Sequence, residues 1–177
     1  MKTIKSFFIL SLFFFISCIR NNDKIDMKLE KQFSDSISKL NGDNREIWIA
    51  PDWKAKVSYK NGKPRLIFAE TMPEFGYIKY RIFINENNII EKIIIRKNLP
   101  NYNSNQSSLS EDYKLQDFLY VVNPKNKEVI EYSGNKINKI KADINFVEDV
   151  MLNANYYKTQ AEEFFKNPKP NINNYTK

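Results

Sequence analysis

Along IDMKLEKQFSDSISKL, apolar side chains recur at Ile25, Leu29, Phe33, Ile37 and Leu40, in steps of four, four, four and three. That spacing returns to one side of a helix on every turn, so it predicts an α-helix with a single narrow apolar stripe that packs on the domain. Asn41-Gly42 follows, with Gly42 suited to the left-handed residue that ends many helices. From Arg45 to about Ser133 the period shifts towards two, and β-branched and aromatic residues dominate. Glu46 to Ala50 predicts a strand stopped by Pro51-Asp52. Lys54 to Lys60 and Lys63 to Ala69 flank Asn61-Gly62, which favours a type I′ hairpin turn. An unbroken register from that turn sets Tyr59 opposite Pro64, Val57 opposite Leu66 and Ala55 opposite Phe68. A second hairpin, GYIKYRIFINENNIIEKIIIRKN, turns at Asn85-Glu86-Asn87-Asn88, with Asn88 in the left-handed position. Its alternation groups Tyr80, Ile82 and Ile84 with Ile90 and Ile94. Arg81 and Glu91 then lie among Phe83, Ile93 and Ile95 on a partly covered face.

A third hairpin joins Phe118–Val122 to Glu128–Tyr132 through Asn123-Pro124-Lys125-Asn126. The polar stretch LPNYNSNQSSLSED before it is longer than most connections in a compact domain and suggests a mobile loop. The chain closes on a long helix, about Ile144 to Lys166, with a broad apolar face. That face comprises Val147, Val150, Met151, Ala154, Tyr157, Ala161, Phe164 and Phe165, and Asp143 or Asn145 is placed to cap it. Asn167-Pro168 ends it. The fold class expected is α+β: an N-terminal helix, an antiparallel meander of about six to seven strands, and the long C-terminal helix packed on the sheet. In outline this resembles helix-grip and cystatin-like folds, which implies a curved sheet able to enclose an apolar cavity.

The first residues follow another logic. Lys2 and Lys5 precede an apolar run from Phe7 to Ile16, and the small Ser17 stands before Cys18, which is the layout of a secretory signal. About 14 residues separate Lys5 from Arg20, a helical reach of roughly 21 Å against about 30 Å of hydrocarbon, too short to span. Phe15-Ile16-Ser17-Cys18 resembles the lipobox of bacterial lipoproteins, with Phe15 standing where leucine is commonest. The resemblance implies cleavage before Cys18 and acylation of that residue, which ties the chain to a membrane. Ile19 is not the aspartate that retains lipoproteins at the inner membrane in one Gram-negative scheme, which leans the address towards the outer membrane or a periplasm-facing surface. The expected organisation is a signal peptide over residues 1–17, a tether over 18–24, one domain over 25–166 and a disordered tail over 167–177.

Cys18 is the sole cysteine, so no disulfide can form within the chain and packing must supply the core. Histidine is absent, which removes the commonest general base near neutral pH and a favoured ligand for transition metals. That argues against an enzyme and against a metal or other cofactor. The formal charge of +7, to which Lys2 and Lys5 contribute, permits attraction to anionic surfaces, yet no nucleic-acid-binding signature accompanies it.

Candidate contact residues cluster in the first hairpin. Lys54, Lys56, Lys60, Lys63 and Arg65 run without an acid between Asp52 and Glu70, offering a basic face for anionic lipid or an acidic protein. Trp53 at the corner suits a half-exposed contact residue, whereas Trp48, between Ile47 and Ile49, is expected in the core. Glu70 and Glu74 form a carboxylate pair with no accompanying motif. Gly76 and the hairpin after it also resemble the central hairpin of the TonB C-terminal domain, without the helix that the family then expects, and no residue role is carried over. The function expected is a lipid-anchored envelope protein that binds a protein partner or serves as an accessory module. The alternative is a carrier of a lipid or small apolar ligand between sheet and helix.

Overall fold

The alternating stretch between the two apolar helices folds as a single antiparallel meander, as its period and its turn residues dictate. The computed structural model describes residues 21–50, 53–73, 76–100, 115–133, 136–141 and 144–168. Helix α1 (Asn21–Leu40) leads into β1 (Asp43–Ala50), β2 (Trp53–Lys60), β3 (Lys63–Thr71), β4 (Tyr77–Ile84), β5 (Ile90–Pro100), β6 (Leu115–Asn123), β7 (Glu128–Ser133) and β8 (Lys136–Lys141). Helix α2 (Ile144–Lys166) follows. The strands lie in sequence order in one eight-stranded sheet, every neighbour antiparallel. The architecture is α+β, with one helix on each face of the sheet. No helix among the described residues is long and apolar enough to cross a membrane.

Two of the expected turns form as their sequences require. Asn61 and Gly62 both have positive φ, and Asn88 takes the left-handed position after Asn85 accepts the Asn88 N–H at 3.0 Å. At the end of α1, however, Asn41 carries the left-handed φ of 46° in place of Gly42. Gly42 is needed for a different reason: a Cβ there would stand 2.1 Å from the Tyr59 carbonyl oxygen, where the chain turns into the sheet.

Bulges change which residues share a face. Tyr59 opposes Pro64 as expected, but the register then shifts, so Val57 opposes Ile67 and Ala55 opposes Ala69. Arg65 is the extra residue, and such insertions are a common response to strand twist. A second shift, between Phe83 and Ile84, leaves Glu91 of β5 as the extra residue and sets Ile82 opposite Ile93 and Tyr80 opposite Ile95. Ile93 and Ile95 thus join Tyr80 and Ile82, and Ile94 moves beside Arg81, reversing the grouping expected from unbroken alternation. The strand over Lys136–Lys141 extends the meander beyond Ser133. Its sequence, KINKIK, lacks period-two alternation, and lysine-rich strands suit a sheet edge.

The α2 face is the larger core. Ile47, Val57, Ile67, Ile82, Ile93 and Ile95 lie beneath Val147, Val150, Ala154, Tyr157 and Ala161, all buried. The Tyr59 hydroxyl crosses the layer to donate to the Ala161 carbonyl at 2.9 Å. Asn88 at the β4–β5 turn donates to Glu162 of α2 at 2.8 Å. Helix α2 starts at Ile144, so Asn145 lies inside its first turn, while Asp143 falls outside the described residues. Residues 101–114 and 169–177 also fall outside them; Leu99 and Pro100, expected in the loop, extend β5.

The other face combines a smaller apolar cluster with charge. Leu29 packs on Ile94 and Leu119, and Phe33 meets the Phe83 ring edge-on at 5.2 Å. Helix α1 begins at Asn21, so the residues from Asn21 to Lys24, expected as tether, are helical, and Asn22 and Asp23 make tertiary contacts. Asp26 accepts from Arg81 of β4 at 2.7 Å through one oxygen and from Arg96 of β5 at 2.7 Å through the other. Arg96 also meets Asp23 at 2.5 Å and grips Asp117 of β6 side-on, at 3.0 and 3.1 Å. Asn22 donates to the Asp117 carbonyl at 3.2 Å. Arg81 is 2% exposed, so its charge depends on these partners.

Removing one member of a buried ion pair strands the other in a poorly solvated site. Asp26→Ala is expected to lower unfolding free energy by about 3–5 kcal/mol in urea denaturation, whereas Asp26→Leu with Arg81→Met recovers most of that loss. A second expectation concerns alkaline pH. Burial pushes the Tyr59 and Tyr157 hydroxyls up to about 12 from an ordinary value of 10.0. Below pH 10 both states keep these protons; between pH 10 and 12 the unfolded chain loses them first, so stability falls as pH rises through that window. Urea midpoints measured across it should fall less steeply in Tyr157→Phe than in the parent chain.

Candidate functional site

Helix α1 crosses its face of the sheet from β6 towards β2 and leaves the corner over β1, β2 and β3 uncovered. Alternation then decides what that corner displays. Ile47 and Ile49 take the α2 face, so Trp48 emerges on the opposite side, half-buried instead of in the core. Ladder pairs set Trp48 opposite Lys54, Lys54 opposite Glu70, and Lys56 opposite Phe68. With Trp53 and Met72 they line an open groove of about 550 Å³. Trp53 is 39% exposed and Met72 75%.

The groove is apolar at its floor and nearly balanced in charge. Lys54 reaches Glu46 at 2.9 Å and lies 4.2 Å from the centre of the Trp48 ring, a cation–π contact that also screens the indole. The hydrogen bond from Lys54, then its charge, hold the Glu46 carboxyl below its ordinary value. Glu70 pairs with Lys79 at 3.2 Å. Lys56 makes no ion pair among the described residues and is exposed. The arrangement can stack or clasp a flat or apolar segment, with the exposed Lys56 at its rim opposite Glu46, whose carboxyl its charge also helps to lower.

The basic face expected from sequence is divided. Lys54 and Lys56 belong to the groove with Trp53, as anticipated for a half-exposed aromatic. Lys60 and Arg65 instead line a separate crevice of about 340 Å³ under the last turn of α1. Six residues of strand, about 20 Å, separate Lys54 from Lys60. Lys63 opposes Lys60 across the turn and is exposed. Arg65 is buried, because the bulge turns it inwards to donate from Nη1 to the Asn85 carbonyl.

Sequence reasoning does not find Trp48, Phe68 or Met72 as surface residues. The available signal is parity: once Ile47 and Ile49 are assigned to one face, Trp48 must occupy the other. Of the carboxylates, Glu70 is committed to Lys79 and Glu74 lies outside the described residues. Asp23, Asp26 and Asp117 converge on Arg96. Among the described residues no group of three or more acidic or cysteine side chains is placed to hold a metal ion. Between the sheet and α2, where the alternative reading places a carried ligand, lie the packed side chains of the main core. Cys18 falls outside the described residues. Compared with protein-family models, with curated proteins and with solved structures, the chain matches none.

Proposed function

We propose that this protein is a lipid-anchored, non-enzymatic module of the cell envelope that binds a protein partner through the groove over β1–β3. The observation that carries the reading is an exposed Trp53 and Met72 beside a half-buried Trp48 and Phe68, on a sheet corner that neither helix covers. Tryptophan and methionine are enriched at protein interfaces, and tryptophan is prominent among residues that dominate binding energy. The charges around the groove nearly balance, so the partner segment is chiefly apolar, with the exposed Lys56 at the rim beside it. The absence of histidine and the commitment of the buried carboxylates to arginine support binding over catalysis. The lipobox resemblance at Phe15-Ile16-Ser17-Cys18 supplies the anchor, and two or three acyl chains would hold the domain at a bilayer far longer than one.

Site-specific photocrosslinking from position 56 in cells is expected to trap a discrete partner. The pair Trp53→Ala and Met72→Ser should weaken that association roughly tenfold or more, while Lys63→Gln leaves it unchanged. Equal crosslinking in both variants would count against the groove. For the anchor, Cys18→Ser should leave the precursor uncleaved and abolish incorporation of labelled palmitate. A variant still processed and membrane-bound would overturn that part of the reading.

A further inference from the structure

Arg65 is the extra residue of the β2–β3 bulge and is 9% exposed. Its Nη1 donates to the Asn85 carbonyl, its one acceptor among the described residues. Its Nε–H is buried with no acceptor among the described residues. The chain itself shows what such an edge does when filled: on Arg96, Nε and Nη2 hold the two oxygens of Asp117 at 3.0 and 3.1 Å. Planar side-on gripping of a carboxylate is the geometry for which a guanidinium is built.

Arg65 lines the crevice under the C-terminal turn of α1. Ser36 and Leu40 of the helix form one wall, and Leu66, Phe83 and Ile84 of the sheet form the apolar floor. Lys60 brings a second positive charge, while Glu86 and Glu91 bring two negative ones. The four charges sum to zero, so the crevice as a whole does not attract anions and the pull on a single carboxylate comes from the unpaired edge of Arg65. Its volume of about 340 Å³ lies at the small end of ligand pockets.

We propose that this crevice binds a small monocarboxylic acid with a short apolar body. The unpaired Nε–Nη2 edge of Arg65, enclosed while the crevice is empty, swings towards the crevice to take the carboxylate, and the body lies against Leu40, Leu66 and Phe83. This site is separate from the aromatic groove and does not rest on the partner-binding reading.

The test titrates full-length protein in detergent with 4-methylpentanoate, its neutral amide and inorganic phosphate, following the Arg65 Nε–H resonance by NMR. Saturable binding of the acid that shifts this resonance, with the amide and phosphate each at least tenfold weaker, is the expected result. Arg65→Lys keeps the charge but loses the forked edge, and should weaken the acid at least tenfold. Acid and amide binding equally would overturn the proposal, as would phosphate binding more tightly than the acid. Both comparisons need only the parent chain, so they hold even if the variant fails to fold. Undiminished acid binding by a folded Arg65→Lys would overturn it as well.

Discussion

Two buried guanidiniums set the position of α1, and much else depends on that. Arg81 and Arg96 project from adjacent central strands into the layer beneath the helix, and Asp26 satisfies both with its two oxygens. A charge so enclosed is costly without a partner. The apolar contacts of α1 are few, chiefly Leu29 and Phe33, and on their own would tolerate a slide along the sheet. Sliding by one turn would carry Asp26 about 5.4 Å away and strand both arginines. The network therefore specifies register, a role for buried polar groups better supported than net stabilisation.

That register decides what the sheet shows to solvent. With its first turns pinned over β5 and β6, α1 ends above the β2–β3 hairpin. Its last turn walls the Arg65 crevice, and the far corner with Trp48, Trp53 and Phe68 stays open. Each feature on this face is thus a consequence of where Asp26 sits. The opposite face needs no such device, because α2 presents a wide apolar surface to a nearly uniform field of isoleucine and valine. There burial alone holds the layers, with the Tyr59–Ala161 and Asn88–Glu162 hydrogen bonds fixing alignment at one end.

What can be read from sequence is the information stored locally. Asn61-Gly62 and Asn88 announce their turns because left-handed backbone is a property of single residues. Both helices announce themselves through spacing. The bulges at Arg65 and Glu91 do not, since an inserted residue reflects twist and packing across strands more than the residue's own preference. Each bulge flips the parity of the remainder of its strand, which is why unbroken alternation groups Ile94 with the wrong neighbours. The ion network is hidden for a related reason. Asp26, Arg81, Arg96 and Asp117 are scattered over ninety positions, and each reads singly as a solvent-facing residue in its own element. Asp26 falls on the buried stripe of α1 one residue from Ile25, so a purely apolar template passes over the residue that matters most.

The same electrostatic reasoning distinguishes the two sites on the α1 face. In the groove, Lys54 and Glu46 are each about half exposed, and Glu70 and Lys79 only moderately less so. Pairs of this kind contribute little and are screened by salt. Their effect is to neutralise the corner, which leaves the aromatic floor to dominate any contact made there. At Arg65 the order is reversed: the cation is enclosed, weakly screened and short of an acceptor, so charge dominates and the apolar wall only shapes what can approach. One hairpin with a run of basic residues therefore presents two different chemical environments, an aromatic groove and an enclosed cation. The division arises from a single inserted residue that turns Arg65 inwards while Lys56 stays out.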